Sequence, residues 1–246
     1  MLITTEALAL RAIKYSDSSR VVKLYTRQLG IQSFLVQGLH RPKSRITVAH
    51  FQPLTALEVV AYHKPGGALQ RLREVRMAAP AEGSLFFDVG KSALAMFLSE
   101  LAYQCVQEEE PNDHLFAWLK ASAAFIRSHD GGWGLFPHWL MTHFTRFLGF
   151  FPLQPPAQAS DVELAFDLEE GAFVPESSNP RKSMAPDMAR SLKELLHAER
   201  RHAVQMQLPL KARRQLLQRL IRYYQLQHPG FQSLRTTEVL EQLQSA

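Results

Sequence analysis

Three fixed positive charges fall within five residues, at Arg41, Lys43 and Arg45, in the stretch GIQSFLVQGLHRPKSRITVA spanning residues 30–49. Guanidinium and ammonium groups so spaced pair with the oxygens of a polyanion and hold it without making or breaking a covalent bond. Pro42 stiffens the tip, so less entropy is lost when it docks. A solvated turn uses the same residue types, so the tip has to be weighed with its neighbours. Lys23, Tyr25 and Arg27 supply a second set: two cations with an aromatic ring between them. Such a trio suits single-stranded nucleic acid, whose bases stack on rings while cations follow the backbone. Tyr25, Phe34 and Tyr62 are the candidate stacking rings, with Phe34 better suited to a core.

These residues need strands to present them. The spacing predicts strands over about 3–15, 20–27 and 31–37, a long one over about 46–62, and a fifth over about 68–77. Val22 and Leu24 point one way in the second strand, which turns Lys23, Tyr25 and Arg27 the other way. Gly38 permits the turn before the basic tip, and Lys64-Pro65-Gly66-Gly67 is a strong turn signal. Five short strands in about 80 residues predict a Greek-key barrel of the OB type, which binds oligonucleotides.

Beyond residue 80 the apolar period becomes helical. Helices are predicted through Leu85–Val106, from a cap at Asn112 or Asp113 to about 128, and over about 135–148. Residues 150–182 are proline-rich, with a β-hairpin expected around Glu169-Glu170-Gly171. Further helices are predicted over about 186–202, 208–227 and 235–244. The fold class is therefore α+β: an OB barrel over 1–80, then a helical domain over 81–246 that carries a small hairpin insertion at 150–182.

Net charge is +5 over 246 residues, but it is unevenly spread. Residues 1–80 carry 12 Lys+Arg against 4 Asp+Glu, residues 81–180 carry 4 against 14, and residues 181–246 carry 12 against 5. Two basic ends around an acidic middle favour nucleic-acid contact by the ends. The basic face of KARRQLLQRLIRYY (Lys211, Arg213, Arg214, Arg219, Arg222) either extends that contact or is the solvated side of an amphipathic helix. No apolar run reaches the ~20 residues of a membrane span, and no signal peptide is read. The single cysteine, Cys105, excludes an internal disulfide and a cysteine-based zinc site. A cytoplasmic protein is expected.

Enzyme chemistry finds little support. There is no phosphate-binding glycine loop and no nucleophile elbow. His138/His143 and His197/His202 are five residues apart, which splits each pair between helix faces. No cofactor and no metal site are expected. Two rivals stay open: an OB-fold RNA-binding factor, and a metal-dependent nuclease built from the acidic middle. A scaffold whose basic ends bind acidic proteins is a third.

The segments LALRAIKYSDSSRVVKLYTRQLG, VQGLHRPKSR and FQPLTALEVVAYHKPGGALQRLREV resemble the N-terminal barrel of the RecO recombination mediators. FLGFFP and RYYQLQHPGFQSLRTTEVL resemble that family's helical part. The resemblance implies a bacterial, nucleoid-associated DNA repair protein. It would bind single- and double-stranded DNA, anneal complementary strands, and help load recombinase onto strands coated by single-strand binding protein. The implied partners are RecR, the acidic C-terminal tail of the single-strand binding protein and, indirectly, RecA. Lys14, Arg20, Lys23, Arg27, Arg41, Lys43 and Arg45 match basic positions of the family's barrel, which assigns them to phosphate. His143, Phe144 and Arg146 are the expected partner-binding residues, beside Trp139. Many members carry a four-cysteine zinc module after the third helix. Here that place reads FPLQPPAQASDVELAFDLEEGAFVPES, without cysteine.

Overall fold

The computed structural model describes residues 1–17, 19–37, 39, 46–78, 88–106, 110–154, 164–175, 179 and 181–243. It divides into two compact units, residues 1–129 and 130–246.

The first unit is built on a closed barrel in the order β1-β2-β3-β5-β4, formed by Leu2–Lys14, Ser19–Thr26, Gly30–Gln37, Gln70–Met77 and Ala56–Tyr62 respectively. β1 is long enough to serve two neighbours. Its first half pairs with β4 (Leu2 opposite Tyr62) and its second half with β2 (Lys14 opposite Arg20), with a bulge between Ala9 and Arg11 where it bends. Closure comes from a short parallel contact, Phe34 opposite Gln70 and Leu35 opposite Arg71. Alternation sends Ala7, Ala9, Val22, Leu24, Phe34, Val36, Leu57, Val59, Ala61 and Val75 inward to form the barrel core.

The expected long fourth strand is shorter at its start. Val48–Phe51 is a 3₁₀ turn, with the Thr47 N–H donating to His50 Nδ1 at 3.2 Å. Phe51 and Leu54 plug the core there, and Leu54 has a φ of 57°. Burying those two side chains outweighs extending the strand. Helices α1 (Val89–Cys105) and α2 (Asp113–Ser128) belong to this same unit. Ser99 on α1 donates to the Leu10 carbonyl at 2.5 Å, and Arg11 lies over the Tyr103 ring at 4.9 Å. Of the two capping residues the sequence offers, Asn112 caps α2, accepting from the Leu115 N–H at 2.9 Å, and Asp113 is the first helical residue.

The second unit is centred on α3 (Phe136–Phe144), all nine of whose residues are buried. Against it pack α4 (Pro186–His197), α5 (Arg200–Ala203) and α6 (Leu210–Gln227), and α7 (Thr237–Leu243) follows in sequence. The predicted hairpin is present as β6 (Ala165–Asp167) and β7 (Ala172–Val174), and a third short strand, β8 (Ser183–Met184), joins it on the β6 side. Gly171 turns the hairpin at a φ of 64°, and a Cβ there would lie 2.8 Å from the Tyr223 hydroxyl oxygen. The hairpin is fastened to α6 by aromatic and amide contacts. Phe166 meets Tyr223 edge-on at 5.4 Å, and Gln227 Nε2 donates to the carbonyls of Leu168 and Glu169 at 2.9 and 2.6 Å. These residues offer no soft ligand set for zinc, and the one cysteine is buried in α1 of the other unit. Among the described residues no group of three or more His, Cys, Asp or Glu side chains is placed to hold a metal ion, and no helix is long and apolar enough to cross a membrane.

Candidate nucleic-acid interface

The basic residues of the barrel divide by face and by end. Lys14 and Arg20 are cross-strand partners on the inward parity at one end of β1 and β2. Lys14 is largely exposed and pairs with Asp17 at 2.9 Å. Arg20 is partly buried, its Nε without a hydrogen-bond partner among the described residues. Lys23 lies on the outer face opposite Arg11. Arg41, Lys43 and Arg45 lie outside the described residues.

Two of the expected residues are engaged elsewhere. Tyr25 is 1% exposed. It does point out of the barrel, but α2 covers that face, with Phe116 at 6.1 Å and the Tyr25 hydroxyl reaching the Asn112 carbonyl at 3.5 Å. It is a packing residue and no base can stack on it. Arg27 stands about 20 Å along the strand from Arg20. Its Nε donates to Asp113 at 2.7 Å and its Nη1 to Glu6 at 3.2 Å. Asp113 foremost, then Glu6, raise its pKa. Lys120 also hydrogen-bonds Glu6, and that bond, more than Arg27, lowers the Glu6 carboxyl below its ordinary value against the opposing effect of burial. The groove here, about 560 Å³, is lined by Glu6, Glu58 and Asp113 against the single cation Arg27. A phosphate chain is repelled from it.

The opposite situation holds on β5, which sequence reasoning did not name as a site. Arg71, Arg73 and Arg76 are all exposed, and Glu74 is the one acidic residue among them. Glu74 is shared between Arg73 at 3.8 Å and Arg76 at 3.4 Å. Arg71 has no carboxylate partner among the described residues. A groove of about 550 Å³ is lined by Ile46, Arg73, Glu74, Val75 and Arg76. Ile46 directly follows the basic stretch 40–45 in sequence. The signal was available in the alternation of RLREVR, residues 71–76. Of the three candidate rings, Phe34 is in the core at 1% exposure and Tyr62 is open to solvent at 53%.

In the second unit His143 and Phe144 are interior residues. Carbonyls in the last turn of a helix lack intrahelical donors, and α3 supplies them. Trp139 Nε1 donates to the Ala198 carbonyl at 2.7 Å, and His143 Nε2 to the Leu195 carbonyl at 2.9 Å, both at the end of α4. His143 also stacks on Trp139 at 4.3 Å. Burial pushes the pKa of His143, and of the fully buried His138, down to about 4 against the opposing effect of these carbonyl hydrogen bonds, so both are neutral at pH 7. Neither His143 nor Phe144 can greet a partner. Arg146 is exposed, with its guanidinium 4.3 Å from the centre of the Phe151 ring. On α6, Lys211 and Arg222 are exposed whereas Arg213, Arg214 and Arg219 are partly buried, and Arg219 donates to the Arg181 carbonyl at 3.3 Å.

The family model described as Recombination protein O N terminal matches residues 1–81, and that described as Recombination protein O C terminal matches residues 87–235. Among curated proteins, the chain is 33% identical over 245 residues to the DNA repair protein RecO of Flavobacterium psychrophilum. It is 32% identical over 246 residues to that of Bacteroides fragilis and 30% over 245 residues to that of Flavobacterium johnsoniae. Each alignment covers 99% of both chains. A closed five-stranded barrel joined in sequence to a helical region with a small sheet, matched from end to end, places this chain in the RecO family of DNA repair proteins.

Proposed function

We propose that the protein is a cytoplasmic recombination mediator that holds DNA on the β5 edge of its barrel and does no covalent chemistry on it. The observation that carries this reading is the run of exposed arginines on β5, beside a groove lined by Ile46, Arg73, Glu74, Val75 and Arg76. Cations in that arrangement bind the phosphate backbone of either single or double strands, since phosphates carry no sequence information. Annealing then needs no catalytic residue. Two strands held against one basic surface repel each other less and meet at raised effective concentration. Lys14, Arg20, Lys23, Arg41, Lys43 and Arg45 complete the phosphate contacts, and Arg27 is excluded from them by its two carboxylates.

Loading of recombinase onto coated strands requires protein partners: RecR, single-strand binding protein and, through them, RecA. Arg146 beside the Phe151 ring, near the 61%-exposed Leu153, offers a cation next to apolar surface, which suits the acidic tail of the single-strand binding protein. On the second unit by itself, Lys211 and Arg222 of α6 are exposed cations that suit phosphate.

Fluorescence anisotropy with labelled single-stranded DNA across a salt series tests the DNA reading. About five phosphates neutralised on a single strand predict a log–log slope of about −3 to −4. The Arg41→Ala/Lys43→Ala/Arg45→Ala variant is expected to bind more weakly with a shallower slope. Absence of binding by the wild-type protein at low salt, or divalent-ion-dependent cleavage of the strand, overturns the reading.

A further inference from the structure

We infer that the outer face of β1, β4 and β5 carries a base-stacking platform centred on Tyr62, which makes the protein favour single strands over duplex. The inference rests on the DNA-binding reading above and names the residues that would discriminate within it.

The platform follows from register. Leu2 is paired with Tyr62, Tyr62 with Arg71, and Arg71 with Leu35, so one row of side chains crosses four strands. All four are on the outward parity, because Ile3, Ala61, Leu72 and Phe34 are on the inward one. Tyr62 is 53% exposed and Leu2 45%. An aromatic ring this open on a regular strand satisfies nothing inside the protein. Cross-strand neighbours on one face stand about 5 Å apart, so Arg71 is set beside the ring at the separation a nucleotide needs between its base and its phosphate.

The neighbouring turn is rigid. The buried Gln70 side chain accepts from the Lys64 N–H at 2.9 Å and donates to the carbonyls of Lys64 and Gly67 at 2.9 and 2.8 Å. That fixes the exposed Lys64 and Leu69 alongside Tyr62 and Arg71. The polarity of the face sets which end is used. Two rows further along, Glu6 is opposite Glu58 and Glu58 opposite Arg76, so the carboxylates of this row lie on β1 and β4 and its arginine on β5. A strand of DNA is drawn to the Tyr62 end, where Arg71 has no carboxylate partner among the described residues, and follows β5 toward Arg76 with Glu6 on β1 to one side. In a duplex the bases are stacked on each other and show no free face, so only a single strand gains from the ring.

The test compares full-length wild type with Tyr62→Ala, Tyr62→Phe and Arg71→Ala, by anisotropy on a labelled oligothymidine and on a duplex of equal length. Tyr62→Ala is expected to lose about tenfold in single-strand affinity with duplex affinity changed less than about twofold. Tyr62→Phe should restore single-strand binding, and Arg71→Ala should weaken both substrates. Unchanged melting temperatures confirm that an exposed position has been altered without unfolding. Equal single-strand binding by wild type and Tyr62→Ala overturns the platform while leaving the DNA-binding reading intact. Equal losses on both substrates also overturn it. Wild type that binds neither substrate overturns both.

Discussion

The barrel surface and the interior of the second unit put the same kinds of residue to opposite uses. On β5, Arg71, Arg73 and Arg76 remain in water, and the one carboxylate among them, Glu74, pairs with Arg73 and Arg76. In the second unit, His138 and His143 are drawn inside and hydrogen-bond carbonyls as neutral rings. The difference follows from proton chemistry. A guanidinium cannot shed its charge, so burying it without a partner costs far more than packing returns. An imidazole can give up its proton near neutrality and then behaves as a polar aromatic. A third fate appears at Arg27, which stays exposed but is neutralised by Asp113 and Glu6. Cations are therefore available to a ligand only where the fold keeps carboxylates away from them.

The sharpest way to break this comparison is to remove the β5 cations. Replacing Arg71, Arg73 and Arg76 together by alanine should weaken single-stranded DNA binding by about a hundredfold at low salt. It should also make the salt slope shallower by about 2, at 0.7 per lost phosphate contact. Anisotropy reads both, and an unchanged slope would move the site away from β5.

The histidines respond to pH instead. Their folded pKa values, about 4, lie below the ordinary 6.5. The unfolded chain therefore binds more protons between these limits, and the stability they contribute is complete above pH 6.5 and lost as the pH falls toward 4. Each is worth on the order of 3 kcal/mol across that window. Urea unfolding of wild type and His143→Gln at pH 7 and pH 5 should show a steeper acid loss in wild type. Equal losses would remove His143 as the cause.

A smaller gain is expected from Glu74→Gln, which releases Arg73 and Arg76 from their shared carboxylate. Single-strand affinity should rise by a few-fold, measured at low salt where surface pairs are least screened. Smallest of all, Arg27→Ala should change DNA affinity by less than about twofold while slightly lowering the melting temperature. A loss as large as that of a β5 arginine would mean that Arg27 lets go of Asp113 to reach phosphate.

Much of this arrangement is legible in the sequence. Alternation and turn residues give the five barrel strands, because a half-buried strand must repeat every second residue. A cap at Asn112 or Asp113, the hairpin at Glu169–Gly171 and the switch to helical spacing can be read the same way. The separation into basic ends and an acidic middle is plain composition. What periodicity could not reveal is which outward face is covered. Tyr25 and Tyr62 occupy the same parity in their strands, yet α2 packs over one and leaves the other open.

Local sequence thus determined the strands, the caps and the supply of charge, since each depends on residues close together in the chain. Tertiary structure alone decided which charges and rings a ligand can reach. Asp113 meets Arg27 across 86 residues and Leu195 meets His143 across 52. Contacts of that range are set by how helices pack against strands and each other, and no local pattern encodes them.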